Sequence, residues 1–391
     1  MDSLAVLTLF SVLLLTHCQF PPYTQDCQQG LYPPTDGPAQ TVIPTYTINL
    51  DLPPERRWVQ LARDKARGIK ELIDVIKGLV RGFAGGILIR IIDKDLPKLM
   101  GGLPETAVAE MTAISQAADI PLGEIFLYNL FYEFDAFCTS IIAEDKHGEI
   151  FHARNLDFGL LLGWDFKNDT WLLTEKLRPL IFNGEFVREN KTVFKAVNFA
   201  GYIGVITGLK PQKYSLTVNE RFTLKGSGIA GAIKWILGTR TGNWMGFLTR
   251  KVFETVDTFE DAKNILSTKE LIGPIYFILG GTKSGEGVTI TRSLDRTLDY
   301  NNLNVTNGTW FVLETNYDRW KAPLFIDDRR TPATKCMNVI GQGNATFAGL
   351  FDVLNTKPVL NKLTAYTTLM HVKSGTMDTY IRYCADPCWP W

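Results

Sequence analysis

Two compositionally distinct regions of this chain meet near Cys138, and that change restricts the fold more than any single motif does. Before it, Ile69, Leu72, Ile73, Ile76, Leu79, Val80 and Phe83 recur at helical spacing, with Lys70, Glu71, Asp74, Lys77 and Arg81 on the other side, the pattern of an amphipathic helix. Gly85-Gly86 interrupts it and the very apolar Ile87–Ile92 follows. This reads as a helical hairpin packed on a core or, more sharply, as a lipid-facing surface. Pro121-Leu122-Gly123-Glu124 opens a further helix running to about Phe134. After Phe137 the texture turns to short strand runs. Cys138–Glu144 and Glu149–Asp157 read as a hairpin about the turn residues Asp145-Lys146-His147-Gly148. More strands are expected at Ala200–Thr207, Tyr214–Leu224, Ile275–Leu279, Gly287–Arg292 and Trp310–Glu314, with helices around Ile229–Leu237 and Trp244–Phe253. Strands in runs with helical layers argue for an α+β domain, and 391 residues at 45% hydrophobic content can bury a large core.

Leu4 to Leu15 is an almost unbroken apolar run, followed by Thr16-His17-Cys18-Gln19 and the proline-bearing Phe20-Pro21-Pro22. It is too short to span a bilayer and has the length of a signal h-region, so residues 1–19 are expected to be an export signal. No later apolar run is long enough to span, and the mature chain is expected to be soluble. Asn-x-Ser/Thr sequons at Asn168, Asn190, Asn304, Asn307 and Asn344 then predict a glycoprotein. The 41 basic side chains balance 41 acidic ones, so global charge points to no nucleic-acid partner. Near pH ~4.5 the carboxylates approach half-protonation and the surface becomes cationic, which suits an anionic membrane.

Cysteine arithmetic leaves an odd thiol. With Cys18 removed, Cys27, Cys138, Cys336, Cys384 and Cys388 remain. Cys384 and Cys388 lie close together and form a natural pair. Cys27 would then join Cys336 and leave Cys138 over; arithmetic alone does not force this. A turn centred between Lys146 and His147 places Cys138 opposite Arg154 or Asn155, with Asp157 just beyond the end of the pair. A guanidinium beside a thiol stabilises the thiolate. The base is open: His152 or His371 could serve, or cleavage before Cys138 would make its own α-amine the base. A free cysteine is most often an inert buried thiol, and spacing alone does not separate these readings. No HExxH pattern is present and Cys384/Cys388 lack nearby histidines, so no metal or other cofactor is expected.

Longer stretches decide more. Cys138-Thr-Ser-Ile-Ile-Ala-Glu-Asp-Lys-His-Gly and His152-Ala-Arg-Asn-Leu-Asp-Phe-Gly come with Thr45–Pro54, Asp119–Glu124, Leu216–Phe222, Thr315–Lys321, Asp327–Ala333 and Leu354–Thr364. In this order they resemble the acid ceramidase family, within the N-terminal-nucleophile hydrolases of the choloylglycine-hydrolase type. The resemblance runs over essentially the whole mature chain.

It implies a four-layer αββα fold made from one precursor: a helix-rich N-terminal (alpha) subunit, 20–137, and a catalytic (beta) subunit, 138–391, joined by a disulfide. Self-cleavage before Cys138 would expose the nucleophile. Arg154 and Asp157 lie in the family's Arg-Asn-x-Asp motif, Asn316 matches an oxyanion-site asparagine, and Arg329 matches a catalytically important arginine. Glu220 is a weaker carry-over toward autocleavage or positioning. Without the resemblance, Asn316 would read as a turn residue and Arg329-Arg330 as a solvated charge run. The implied substrates are ceramide and related N-acyl lipids; the implied location is the lysosome, with secretion. An anionic lysosomal membrane surface and a sphingolipid activator protein are the implied partners. Phe137 departs from the small aliphatic residue expected before the scissile bond. The Cys384–Cys388 tail favours this family over the N-acylethanolamine acid amidases, the nearest rival; a non-catalytic lipid-binding glycoprotein is the other.

Overall fold

The computed structural model describes residues 24–35, 37, 41–84, 96, 98–131, 136–159, 163–223, 231, 234–239 and 241–388. The expected signal at 1–19, the apolar run after Gly85-Gly86 and much of the expected helix at 229–237 lie outside them.

Among the described residues the strands follow in chain order: β1 (Thr45–Asn49), β2 (Ala136–Glu144), β3 (Ile150–Phe158), β4 (Trp164–Asp165), β5 (Thr170–Trp171), β6 (Ile181–Arg188), β7 (Lys191–Phe199), β8 (Thr207–Lys210), β9 (Tyr214–Glu220), β10 (Ile275–Gly280), β11 (Gly287–Arg292), β12 (Thr297–Asn302), β13 (Phe311–Glu314), β14 (Thr364–His371) and β15 (Thr376–Ile381). An eight-stranded sheet runs β1-β6-β7-β8-β9-β10-β11-β12 and a five-stranded sheet runs β13-β2-β3-β14-β15. Strand alternation explains how the two sheets pack. From β2, Ile142 joins Tyr276 and Ile278 between the sheets. Its neighbours Ile141 and Ala143 instead pack with Leu350 and Leu354 of helix Phe347–Asn355 and Met337 of helix Arg330–Ile340. Helices Val59–Ala84, Met245–Thr255 and Phe259–Thr268 pack in the cluster formed with the eight-stranded sheet. The result is the expected αββα layering.

The N-terminal region is built into this frame. Ile69, Leu72, Ile73 and Ile76 are buried along helix Val59–Ala84 as their spacing predicts. β1 pairs parallel with β6, Ile48 opposite Phe186. Glu110, fully buried, takes Arg250 on both carboxylate oxygens and Arg57 at 3.1 Å. The Cys27–Cys336 and Cys384–Cys388 disulfides are present as expected. Among the described residues no helix is long and apolar enough to cross a membrane.

Some expectations shift. The helix opened by Pro121 is described over Leu122–Phe131. The chain expected as a strand at Ala200–Thr207 is irregular up to Ile206, opening on a turn at Ala200-Gly201, where Gly201 takes φ +93° against the Tyr128 ring and reverses the chain out of β7. A β-branched apolar run thus signalled burial rather than extension.

Candidate active site

The β2–β3 hairpin carries the site. Its register is one residue off the expectation: Cys138 pairs with Leu156, and Arg154 lies opposite Ser140. The contact survives the slip. Residues two apart on a strand share a face, so Arg154 sits diagonally across from Cys138 on the face between the sheets. Its Nη2 donates to Cys138 Sγ. Its Nη1 is fixed by the Ile206 carbonyl (2.8 Å) and Thr207 Oγ1 (2.7 Å), and Thr207 is in turn bonded to Tyr366 OH (2.7 Å). Among the described cysteines only Cys138 carries a thiol, and it is fully buried. Burial pushes that thiol up to about 11, with Asp157 adding to the rise and Arg154 and Arg329 opposing it.

Asp157 lies inside β3 rather than beyond it, paired with Phe137 and facing the opposite side from Arg154. Its side chain is therefore on the opposite face of the hairpin from the Arg154–Cys138 Sγ contact. Its carboxylate accepts from Thr364 Oγ1 (2.6 Å), Arg329 Nη1 (3.1 Å) and Asn361 Nδ2 (3.2 Å). Burial pushes the Asp157 carboxyl upward against those three partners.

Arg329 ties the site together. Its Nη1 donates to the Cys138 carbonyl (2.8 Å) and its Nη2 to Asn316 Oδ1 (2.7 Å). Asp327 braces it through Nε (2.8 Å) and Nη2 (3.1 Å), and also accepts from Tyr317 OH (2.9 Å). Burial works against the guanidinium charge, yet Asp327 and Asp157 hold its pKa above the ordinary value. Asn316 Oδ1 also accepts the Cys138 backbone N–H (2.9 Å), while its Nδ2 donates to the Glu220 carbonyl (2.8 Å). Glu220 thus reaches the site through its main chain. β2 runs unbroken through the Phe137–Cys138 peptide, so Cys138 N is here a peptide nitrogen.

A family profile described as linear amide C–N hydrolases, choloylglycine hydrolase family, matches residues 138–384, starting on this cysteine. The chain belongs to that family. A second profile, the beta subunit of N-acylethanolamine-hydrolyzing acid amidase, matches residues 41–103. Acid ceramidase of Homo sapiens is 50% identical over 95% of this chain and 94% of its own length; that of Bos taurus is 50% identical over 97% and 96%. A solved Caenorhabditis elegans N-acylethanolamine-hydrolyzing acid amidase ortholog superposes with a TM-score of 0.54 at 32% identity, over 63% of this chain and 100% of that one.

His152 and His371 have other partners. His152 is bonded to Ser215 Oγ (2.8 Å) and Thr217 Oγ1 (3.0 Å), and burial, helped by Arg154, pushes it down to about 3. His371 contacts Glu149 (3.0 Å) and Ser374 (2.9 Å). Neither is hydrogen-bonded to Cys138 among the described contacts. Sequence reasoning missed Asp327, Tyr317, Asn361 and Thr364. All four lie inside the segments that carried the resemblance, but nothing in their types marks them as braces.

Proposed function

We propose that this chain is a ceramide amidohydrolase that first cuts itself before Cys138. The observation that carries the reading is one contact set: a guanidinium on Cys138 Sγ, with Asn316 and Arg329 around the same residue's nitrogen and carbonyl. The family membership and the half-identical acid ceramidases support the substrate class.

In the first reaction Cys138 Sγ bonds to the Phe137 carbonyl carbon and the bond to Cys138 N breaks. The thiol proton passes to that nitrogen, and water then hydrolyses the thioester. The α-amine so released has a reference pKa of about 7.7–8.0 and stays beside Asn316. In the second reaction this amine takes the thiol proton while Sγ attacks the ceramide amide carbon. We assign an Asn316 Nδ2 hydrogen to the tetrahedral oxyanion, a role that does not titrate in acid. The amine returns its proton to the leaving nitrogen, sphingosine departs, and water releases the fatty acid. Arg154 favours the thiolate, Asp157 steadies Arg329, and Glu220 orients Asn316 through its carbonyl.

The biological setting belongs to the same proposal. Residues 1–19 direct export, 20–137 and 138–391 become disulfide-joined subunits, and the enzyme works in the lysosome and is also secreted. All five sequon asparagines, Asn168, Asn190, Asn304, Asn307 and Asn344, are exposed, as glycan attachment requires. An anionic lysosomal membrane presents the lipid, with a sphingolipid activator protein assisting. A second reading, hydrolysis of N-acylethanolamines, is favoured by the match at 41–103. The test is N-terminal sequencing after acid incubation, beside Cys138→Ala, followed by kcat/KM for ceramide and a saturated acylethanolamide. A terminus at Cys138 absent from the variant, with ceramide preferred, supports the reading; an uncut chain that still hydrolyses ceramide removes the α-amine base.

A further inference from the structure

We infer that Phe137, the residue before the cut, occupies the place later taken by the substrate's acyl group, and that Phe222 and Tyr317 select that group. The inference rests on the self-cleaving amidase reading above. In both reactions Sγ bonds to a carbonyl carbon, the C–N bond breaks, and the thiol proton goes to the departing nitrogen. One nucleophile and one oxyanion position serve both, so the two acyl groups must approach from the same side.

The side chain on that side is visible. The Phe137 ring meets Phe222 edge-on, centroids 4.8 Å apart, and Phe222 meets Tyr317 at 5.7 Å. The Arg329 guanidinium lies 5.9 Å from the Phe137 ring centre. These walls are referenced to the reacting atoms: Phe222 N–H donates to the Asn316 carbonyl (3.0 Å), and Tyr317 follows Asn316 and is pinned through its hydroxyl to Asp327. A shift in either ring therefore moves with the proposed oxyanion donor.

Two paths lead away from the Phe137 α-carbon. The main chain continues to Ala136 as a strand paired with Phe158 of β3. A hydrocarbon there offers no donor or acceptor to the strand it would replace. The side-chain path ends among aromatic rings, where methylenes and aryl groups gain contact. The acyl chain follows the side-chain path. Removing the α-amino group from a phenylalanyl residue gives a 3-phenylpropanoyl group, which is thus the acyl group this pocket is shaped to hold.

The experiment uses the processed full-length protein, its new terminus at Cys138 quantified, with sphingosine amides of acetate, hexanoate and 3-phenylpropanoate. In the unsubstituted enzyme the phenylpropanoyl amide should exceed the acetyl amide in kcat/KM. Phe222→Ala and Tyr317→Ala should lower the phenylpropanoyl-to-acetyl ratio by roughly 2- to 12-fold, the range of a lost aromatic pair. Phe222→Tyr, which keeps the ring, should restore it. Equal ratios in every variant overturn the assignment. If the alanine variants fail to self-process, the unsubstituted comparison decides alone, and no gain over acetyl overturns it. An unsubstituted enzyme that hydrolyses none of the three amides overturns the functional reading itself, a different result from unchanged selectivity.

Discussion

Asp327→Asn keeps the shape of a side chain that the sequence did not single out and removes its charge. Asp327 accepts Arg329 Nε on one oxygen and Arg329 Nη2 with Tyr317 OH on the other. An asparagine offers one oxygen, so either orientation sets its NH2 against one guanidinium donor. Tyr317 can turn its hydroxyl to accept; a guanidinium cannot. One charge-assisted bond is lost, worth about 1.5–3 kcal/mol. Arg329 also reaches Asn316 Oδ1 and the Cys138 carbonyl, so the loss falls where the tetrahedral intermediate forms. At tenfold per ~1.4 kcal/mol, self-cleavage should slow by roughly 10- to 150-fold. The assay follows the Cys138 terminus over time in acid by mass spectrometry, with thermal unfolding recorded in parallel. A variant that cleaves within about twofold of the unsubstituted rate at an unchanged melting temperature would refute the bracing argument.

Other expectations follow from the same contacts. Cys138→Ala should fold, since it removes one buried sulfur, yet show neither the new terminus nor amide turnover by product assay. After cleavage the two pieces should migrate as one band without reductant and as two with it, because Cys27 and Cys336 lie on opposite sides of the cut; Cys27→Ser should release them. His152 is held neutral, down to about 3, while an unfolded histidine titrates near 6.5. The unfolded state therefore binds the extra proton between those values, and stability falls as pH drops through 6.5, by about 3 kcal/mol at pH ~4.5. Calorimetry at pH 7 and ~4.5 should show a smaller fall in melting temperature for His152→Gln; equal falls would contradict the buried-neutral assignment.

The helical period was legible where one face of an element is buried, as at Ile69–Ile76, and the β10 and β11 runs were legible as short apolar or β-branched segments although every residue in them is buried. The strand reading failed at Ala200–Ile206, which looks extended by composition but whose path is decided by Gly201. The β6–β7 hairpin escaped notice because its positive-φ turn residues are Glu189-Asn190 rather than a glycine pair. At the site, Cys138, Arg154 and Asp157 were readable because a hairpin brings near neighbours in sequence together. Arg329, Asn316, Asp327 and Thr364 arrive from other elements. Spacing says nothing about such meetings, so only the family resemblance reached Asn316 and Arg329. The register slip leaves Asp157 on the face away from the Arg154–Cys138 Sγ contact, where it accepts from Arg329.

If the chain cuts itself before Cys138 as proposed, β1 gives the mature protein a history that it cannot repeat. That strand lies on the N-terminal side of the cut, yet it completes the eight-stranded sheet beside β6. Glu110, also on that side, neutralises a buried arginine on the other. While the chain is whole, both contacts form within one molecule. Once it is cut, a molecule that unfolds and loses its disulfide must find its first strand by collision between separate chains. Maturation is therefore a ratchet: each copy is assembled once, as a single thread, and its working lifetime is set by how rarely it opens thereafter.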